Sequence, residues 1–381
     1  MEETYMIKER VESRLQEKKS NSERNYGIDF LRILAMFFVV LVHSLNKGGV
    51  LAAIEANSSQ HLLSTLLEAV SYCAVDLFAL ISGFVGFSES NKPTKYGAYI
   101  KMWLQVVFYG VVVTGVFRVL SPELVSIKDF CDMLFPVTNG LYWYFSAYTA
   151  LFLVMPLLNA AVRGCSKKQL RRLLFVIFVG FSCYETITFQ FSMGGGYTFV
   201  WLLLMYLIGA IMKKCEIGKN IKTSTALFGI IVLVGISWMW KIYGHDITFA
   251  GHILDRKILV NYTSPTVVGM AMLYIIGFSK VKFPKFIQKI IGFFAPATFA
   301  VYILNCQRFI WSYVVEGRFT QSVAGSVIVL MAEVLLFSFL FTLAAMVIDR
   351  VRIWIFKVFR INASVDKVVG SVETILRKLE I

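Results

Sequence analysis

The sequence predicts an all-α, polytopic membrane protein built as a bundle of about ten transmembrane helices. Of its 381 residues, 57% are hydrophobic and only 16% are charged, whereas an ordinary soluble domain has about 25% charged residues. The mean hydropathy is +0.68. The apolar residues form long runs and not amphipathic stripes, which is typical of helices that cross a bilayer.

Ten apolar runs define the predicted spans. They cover residues 28–46, 62–87, 98–119, 141–162, 171–190, 198–212, 223–241, 262–279, 290–314 and 323–348. Residues 1–27 are polar and are predicted to form a cytoplasmic N-terminal tail. Their charges, and the lack of a small-residue cleavage site after the first run, argue against a cleaved signal peptide. The membrane domain is therefore expected to occupy residues 28–348.

The distribution of basic residues predicts the orientation. With the N-terminus in the cytoplasm, 29 of the 38 Lys and Arg residues fall in cytoplasmic segments and 7 in outer loops, while Arg32 and Arg308 lie within spans. The positive-inside rule then places both termini in the cytoplasm of a multi-pass cell-membrane protein. The same rule explains the net charge of +14, so the lipid bilayer is expected as a partner and nucleic acid is not.

The last segment, residues 349–381, is predicted to be a cytoplasmic tail in two parts. Residues 349–360 are basic, which suits an anionic inner leaflet. Apolar residues then recur at helical spacing over residues 361–379, which predicts an amphipathic helix. This helix is expected either to lie on the membrane or pack on the loops, or to mediate oligomerisation.

No pattern in the sequence predicts a metal centre or a tightly bound cofactor. The six cysteines are scattered without a CxxC motif and are interpreted as small hydrophobic residues. His245, Asp246, His252 and Asp255 crowd the 242–261 loop. Their spacing is a weak metal signal because no third ligand pattern accompanies the two histidines.

The first predicted span carries three ionisable residues, Asp29, Arg32 and His43. Such groups at membrane depth are costly and indicate a functional site. At about 100° per residue, Asp29 and Arg32 return to within about 40° and 20° of the His43 direction, so one helix face carries all three. Arg32 and His43 are about 16 Å apart along the axis. The alternatives are an Arg32 that snorkels to the headgroups and an interfacial, hydrogen-bonded His43.

The second predicted span contains Asp76, followed by Ser82 and Gly83. A carboxylate in an apolar run needs a partner, so Asp76 is expected to orient or tune His43 or to pair with Arg32, with a purely structural ion pair as the alternative. Ser82-Gly83 favours close helix packing over a serine nucleophile, because the chain has no Gly-x-Ser-x-Gly motif.

These motifs resemble the acyltransferase 3 family of integral membrane acyltransferases, which modify cell-surface carbohydrates. The first is Asp29-x-x-Arg32, followed after ten residues by His43. The others are Val75-Asp-Leu-Phe, Ser82-Gly83-Phe84, and segments similar to the branch that acetylates polysaccharides: 139–148, 156–159, 201–210, 262–265 and 299–305. The resemblance covers about residues 28–350.

The resemblance implies acyl transfer from acyl-CoA, usually acetyl-CoA, to a sugar hydroxyl. The essential histidine and arginine of the family correspond to His43 and Arg32. A neutral histidine can accept the proton of the attacking hydroxyl, while Arg32 can hold a donor phosphate and Asp29, at position i−3, can orient Arg32. Catalytic roles are therefore predicted for His43, Arg32, Asp29 and Asp76.

The chain departs from the family pattern at two places. Members often carry an arginine-rich motif at the start of the third span, where this chain has lysines only, among them Lys95 and Lys101. These two lysines are predicted to bind the donor as point charges. In many members, histidine is also the last residue of a Tyr-Leu-Ile-His motif. This chain has Asn305 at that position, and asparagine can form hydrogen bonds but cannot titrate.

Substrate-binding roles are predicted for residues of several spans, including aromatic residues that open the fourth span at the outer interface. The candidates are Ser82, Trp143, Tyr148, Tyr262, Ser264 and Asn305. For the aromatic residues at 142–148, the alternative to sugar stacking is an aromatic belt at the membrane interface.

The sequence thus predicts a membrane O-acyltransferase, most simply an O-acetyltransferase, for a cell-envelope glycan or its lipid-linked precursor. Two other classes remain as alternatives. A transporter or flippase for an acyl group or glycolipid would use the same polar stripe as a substrate path. A membrane sensor would use the amphipathic tail at 361–379 as its docking element.

Overall fold

The computed structural model describes residues 24–90, 96–244, 247–249, 251–254 and 256–378. The α-helices in chain order are α1 (Tyr26–Asn46), α2 (Val50–Ala53), α3 (Ser59–Ser71), α4 (Ala74–Gly86), α5 (Tyr96–Leu120), α6 (Ile127–Leu134), α7 (Trp143–Gly164), α8 (Lys167–Val176), α9 (Glu185–Thr188), α10 (Phe199–Cys215), α11 (Thr223–Tyr243), α12 (Pro265–Phe278), α13 (Lys285–Phe294), α14 (Thr298–Cys306), α15 (Arg308–Ile310), α16 (Val327–Val358) and α17 (Ile361–Lys378). Two π-helical segments, Ile177–Tyr184 and Trp311–Val315, and an antiparallel hairpin of β1 (Ile247–Phe249) and β2 (His252–Leu254) interrupt this series.

Within the described residues, eight helical stretches are long and apolar enough to cross a membrane. They are Tyr26–Ala53, Ser59–Gly86, Tyr96–Leu120, Trp143–Gly164, Thr223–Tyr243, Ile258–Phe278, Lys285–Cys306 and Val327–Val358. The expected polytopic, all-α class is confirmed. Two predicted spans fall outside this set. The span at 171–190 is divided among α8, a π-helical segment and α9, and the span at 198–212 corresponds to α10, which has 17 residues. The span number of ten and the side of each terminus stay predictions.

Helix α1 is the central helix of the bundle. The Asn25 side chain caps its start by accepting the N–H of Ile28 at 3.1 Å, and Asp29 in the first turn complements the helix dipole. Helices α3, α4, α12, α13, α14 and α16 pack around it. Most of its side chains are consequently buried by protein, so its ionisable groups have polar partners within reach.

Helices α4 and α10 pack in direct backbone contact. A Cβ atom at Gly83 would lie 1.9 Å from the carbonyl oxygen of Tyr206, and one at Gly209 would lie 2.0 Å from that of Leu80. Only glycine permits this approach, as at other small-residue helix contacts in membranes. The close packing predicted for Ser82-Gly83 is therefore confirmed.

Helix α16 continues ten residues beyond the predicted end of the last span at 348. The reason is a buried polar cluster on its final turns. Arg352 donates to both carboxylate oxygens of Asp349, at 2.6 and 3.0 Å, and Gln105 and Tyr109 of α5 each donate to Asp349 at 2.9 Å. Residues 349–358 therefore belong to the helical bundle and not to a separate tail.

Candidate functional site

His43 lies near the end of α1, and its ring is held from two sides. Its Nδ1 makes a short hydrogen bond with the Oδ1 atom of Asn305, near the end of α14. The Trp311 ring meets the imidazole edge-on, with 4.8 Å between centroids and 86° between planes. An amide oxygen can only accept, so Nδ1 carries the proton and Nε2 keeps its lone pair. That leaves Nε2 able to accept a proton from a bound group.

Trp311 begins the π-helical segment Trp311–Val315. Such single-turn distortions occur frequently at functional sites. Gln307 starts this region by accepting the N–H groups of Phe309 and Ile310, at 2.8 and 3.2 Å. The irregular backbone after α14 is therefore well supported, and it brings Trp311 against His43.

A cavity of about 1010 Å³ opens beside His43; we call it the large cavity. Its charged lining residues are Lys47, Glu68, Lys241, Lys257 and Arg308. Lys241 forms a short ion pair with the buried Glu68. The remaining wall is rich in aromatic residues: Tyr72, Tyr142, Trp143, Tyr197, Tyr262, Tyr302 and Trp311. A concave site that combines flat apolar rings with a few charged groups can hold a polar ligand with apolar faces.

Three of the aromatic contacts join into a continuous wall. Trp143 lies 4.8 Å from Tyr197, Tyr197 lies 4.9 Å from Tyr262, and Tyr262 lies 4.8 Å from Tyr72, measured between ring centroids. Trp143 and Tyr262 were both predicted to bind the acceptor, and the structure brings them to the same cavity as His43. Trp143 is half-buried and Tyr262 is buried, so both rings pack against protein in the wall of the cavity.

A second, small cavity of about 50 Å³ also touches His43. Its lining residues include Met36, Val39, Val75, Phe78, Tyr144, Phe299 and Tyr302. Met36 and Val39 precede His43 on α1 by about 10 and 6 Å along the axis. The small cavity therefore extends from His43 toward the start of α1.

Two buried hydroxyl groups border the small cavity without a hydrogen-bond partner among the described residues. They belong to Tyr144 and Tyr302. The two rings pack with centroids 5.8 Å apart, and the Tyr302 oxygen lies close to the first backbone N–H groups of α7. A buried, unpaired polar group costs about 1–3 kcal/mol. Both hydroxyls can therefore donate to a ligand in the small cavity.

Arg32 and Asp29 lie at the other end of α1 and are not part of the His43 cavities. Asp29 is buried and accepts from Arg32 Nη1 at 3.0 Å and from Arg24 Nε at 2.5 Å. The i−3 pairing anticipated from the sequence is thus present. Tyr148 and Ser82 lie close to each other and within electrostatic range of Arg32, so these two predicted acceptor-site residues group with Arg32 instead of His43.

Asp76 has a different partner from either one predicted. Its carboxylate is fully buried and accepts the Trp201 indole N–H at 2.8 Å, while its second oxygen has no hydrogen-bond partner among the described residues. Asp76 lies on α4 and Trp201 lies on α10. The two side chains meet because these helices pack directly against each other. The expected contact between Asp76 and His43 or Arg32 is absent within the described part of the chain.

Ser264 is also placed differently from its prediction as a substrate-binding residue. Its side chain is fully buried, donates to the carbonyl oxygen of Ile258 at 2.5 Å and accepts the N–H of Asn261 at 3.0 Å. The hydroxyl is used within the loop before α12. It stabilises the segment that presents Tyr262 to the large cavity.

The structure describes one of the two lysines predicted to bind the donor. Lys95 lies outside the described residues. Lys101 forms an ion pair with Asp366 at 2.6 Å, which joins α5 to α17. The predicted amphipathic helix at 361–379 is therefore anchored on α5 through the residue expected to contact the donor, and Lys101 has a structural contact that sequence inspection did not suggest.

The metal hypothesis falls mostly outside the described residues. His245, Asp246 and Asp255 are not described. Among the residues that are described, no cluster of three or more His, Cys, Asp or Glu side chains is arranged to hold a metal ion.

Sequence inspection missed several residues of the large cavity. Glu68 and Lys241 pair across α3 and α11, and Arg308 forms an ion pair with Asp129 at 2.5 Å. Arg308 stood out only as a cation within a predicted span. Asn305 was expected to bind substrate, whereas in the structure its amide oxygen contacts His43 directly.

Comparison with known proteins identifies the family. No curated protein and no solved structure matches the chain. Residues 25–350 match the sequence model of the acyltransferase 3 family, described as an acyltransferase domain. The match covers most of the chain and includes α1 through most of α16, with both cavities. The chain therefore belongs to the acyltransferase 3 family and is a membrane acyltransferase.

Proposed function

We propose that this acyltransferase moves an acyl group, most simply acetyl, from acyl-CoA to a hydroxyl of a cell-envelope glycan or its lipid-linked precursor. His43 is the general base. The observation that carries this proposal is the position of His43, which is fixed by Asn305 where the large and small cavities meet. The geometry leaves Nε2 available to a hydroxyl in the large cavity.

The chemistry follows from the tautomer. A sugar hydroxyl must lose its proton as it attacks a thioester carbonyl, and neutral imidazole is suited to accept that proton near neutral pH. Asn305 accepts from Nδ1 and stabilises the imidazolium that forms. In this arrangement Asn305 is a positioning residue, comparable to the third group that orients the base in other acyl-transfer sites.

The large cavity is the proposed acceptor site. Its volume of about 1010 Å³ is at the upper end of the usual range for ligand sites, about 300–1,000 Å³, so it has room for more than one sugar residue. The wall of Trp143, Tyr197 and Tyr262 offers flat surfaces for sugar rings. The charged residues Glu68 and Lys241 provide groups that can bind sugar hydroxyls.

The donor side is proposed from Arg32. The basic residues of the predicted cytoplasmic segments favour a cytoplasmic position for the start of α1, where acyl-CoA is made. Arg32 is partly exposed and is held by Asp29 at 3.0 Å. Its remaining donors can bind a phosphate of CoA as a fork. The acyl group would then enter beside α1 and travel toward His43.

The direct test replaces the proposed base. Membrane vesicles of the native host supply both the protein and its acceptor, and labelled acetyl-CoA is added. We expect His43→Gln and His43→Ala to abolish incorporation of acetyl esters into the glycan, measured by mass spectrometry, at unchanged membrane abundance. Phe228→Ala, at an exposed position of α11, is the control for the substitution procedure and should retain incorporation.

Two outcomes would contradict the proposal. Full acetylation in the His43 variants would exclude His43 as the base. Wild-type protein that moves its ligand across the membrane without cleaving the thioester of acyl-CoA would identify a transporter, because a transporter has no thioester chemistry of its own.

A further inference from the structure

The small cavity has a composition suited to a short acyl group. Most of its wall is apolar, with Met36, Val39, Val75 and Phe78 on the side of α1 and α4. Its polar groups include His43 and Tyr302, which also line the large cavity, and Tyr144, whose ring packs against Tyr302; we call these three residues the polar end of the small cavity. A ligand with a short apolar tail and one polar end matches this division.

The polar end of the cavity is rich in hydrogen-bond donors. The hydroxyls of Tyr144 and Tyr302 are more than nine-tenths buried and have no partner among the described residues. The N-terminus of α7 lies beside Tyr302, and no side chain caps it. The partial positive charge of that helix end adds to the two O–H dipoles.

We propose that the small cavity is the acyl-binding pocket, in which the Tyr144 and Tyr302 hydroxyls form the oxyanion hole and Phe78 and Val75 limit the acyl chain length. The proposal rests on the acyltransferase function described above and deepens it. The acyl carbonyl carbon lies between the two cavities, within reach of a hydroxyl nucleophile in the large cavity.

The reaction balances with these groups alone. The acceptor oxygen forms a bond to the thioester carbonyl carbon, His43 Nε2 takes the hydroxyl proton, and the carbonyl π electrons move onto oxygen. Tyr144 and Tyr302 donate to that oxyanion, the type of stabilisation that contributes most to acyl transfer. When the carbonyl re-forms, the C–S bond breaks, its electron pair leaves on the thiolate of CoA, and the imidazolium proton neutralises the thiolate.

The cavity volume sets the expected chain length. One water-sized group needs roughly 10–15 Å³ of such a cavity, so about 50 Å³ accommodates roughly three to five non-hydrogen atoms. Acetyl and propionyl groups fit, butyryl is at the limit, and hexanoyl exceeds the space. The aromatic ring of Phe78 contacts Tyr144 with centroids 6.5 Å apart, so a smaller residue there enlarges the pocket beside Tyr144.

The first experiment measures acyl-chain selectivity. Membrane vesicles of the native host receive acetyl-, propionyl-, butyryl- or hexanoyl-CoA, and each ester on the glycan is quantified by mass spectrometry. We expect Phe78→Ala to raise the hexanoyl-to-acetyl ratio at least tenfold, and the smaller change Val75→Ala to raise the butyryl-to-acetyl ratio. Phe228→Ala removes an equal volume from an exposed position of α11 and should leave both ratios unchanged.

The second experiment removes the proposed oxyanion donors without changing the shape of the pocket. We expect Tyr144→Phe and Tyr302→Phe each to lower kcat for acetyl transfer by about 10- to 100-fold with little change in KM, since the donors act in the transition state. Tyr243→Phe, at an exposed position at the end of α11 that lines neither cavity, removes a hydroxyl outside the pocket and should keep wild-type kcat.

The outcomes separate this inference from the proposed function. Unchanged selectivity in both enlarged variants, at normal membrane abundance, would overturn the acyl pocket while leaving the acyltransferase proposal intact. Wild-type kcat in both Tyr→Phe variants would overturn the oxyanion hole. Wild-type vesicles that transfer no acyl group from any of the four donors would overturn both proposals together.

Discussion

The hydrogen bond between His43 and Asn305 makes a quantitative prediction for Asn305→Leu. The substitution keeps the size of the side chain but removes the oxygen that accepts from Nδ1. A neutral hydrogen bond contributes about 0.5–1.5 kcal/mol and one to a charged group about 1.5–3 kcal/mol. As the imidazole becomes imidazolium in the transition state, the bond should strengthen by about 1–1.5 kcal/mol, which corresponds to roughly a 5- to 13-fold loss of kcat.

Protein stability should change little in the same variant. Asn305 Nδ2 is buried without a partner among the described residues, so leucine removes one unpaired donor while leaving His43 Nδ1 as another. We therefore expect a fall in kcat with nearly unchanged KM and unfolding temperature. This pattern distinguishes loss of a positioning residue from general damage to the helix bundle.

The assay is initial-rate transfer of labelled acetyl groups to the glycan in native-host vesicles, normalised to the amount of protein. The matched control is Asn159→Leu, which removes an amide that accepts from the Tyr206 hydroxyl at 3.0 Å at a position remote from His43. Asn159→Leu should retain wild-type kcat. A wild-type kcat in Asn305→Leu would refute the assignment of Asn305 as the residue that orients the base.

Three further predictions concern stability, each measured by thermal unfolding of the detergent-purified protein. Gly83→Ala should destabilise the protein by about 1–3 kcal/mol through overpacking against α10. Gly115→Ala is the control, because no atom lies within 4 Å of the added Cβ, and it should not destabilise the protein. Equal effects of the two substitutions would contradict the close helix contact. Asp76→Leu should cost about 1–3 kcal/mol by leaving a buried indole N–H unpaired, and Asp76→Asn should cost less because an amide oxygen can replace the acceptor. Burial opposes ionisation of Asp129. Hydrogen bonds from the backbone N–H and the hydroxyl of Ser126, together with the Arg308 guanidinium, outweigh this effect and lower the pKa of the Asp129 carboxyl. Its stabilising effect is present above the unfolded pKa of about 3.9 and is lost as pH falls through the lower folded pKa, so Asp129→Asn should reduce the acid dependence of unfolding, and identical pH profiles would argue against it.

The local sequence was sufficient to predict the class of fold and the centre of the site. Long apolar runs specify membrane helices because each backbone polar group must be satisfied within its own helix. A histidine inside such a run is costly wherever the helix packs, which is why His43 was recognisable. The ion pair between Asp29 and Arg32 was also predictable, because residues three apart on a helix lie side by side.

Positions that depend on distant elements were assigned partners the structure does not have. Asp76 was expected to contact His43 or Arg32 because a carboxylate in an apolar run needs a partner, but that need does not determine which face of α4 meets which neighbour. The glycine contact between α4 and α10 decides it and places Trp201 beside Asp76. Ser264 and Lys101 were predicted to bind substrates, and the protein contacts that the structure gives them, one within a loop and the other between α5 and α17, were not anticipated.

The sequence by itself therefore determined that the chain is a helical membrane protein and singled out His43 as the candidate base, because burial cost and helix periodicity are local properties. Only the tertiary structure decided that Asn305, 262 residues further along the chain, holds that histidine, and that a large and a small cavity meet at its ring. Hydrogen bonds between helices and the spaces left between them depend on how whole helices pack, and the order of residues along any one helix does not specify that packing.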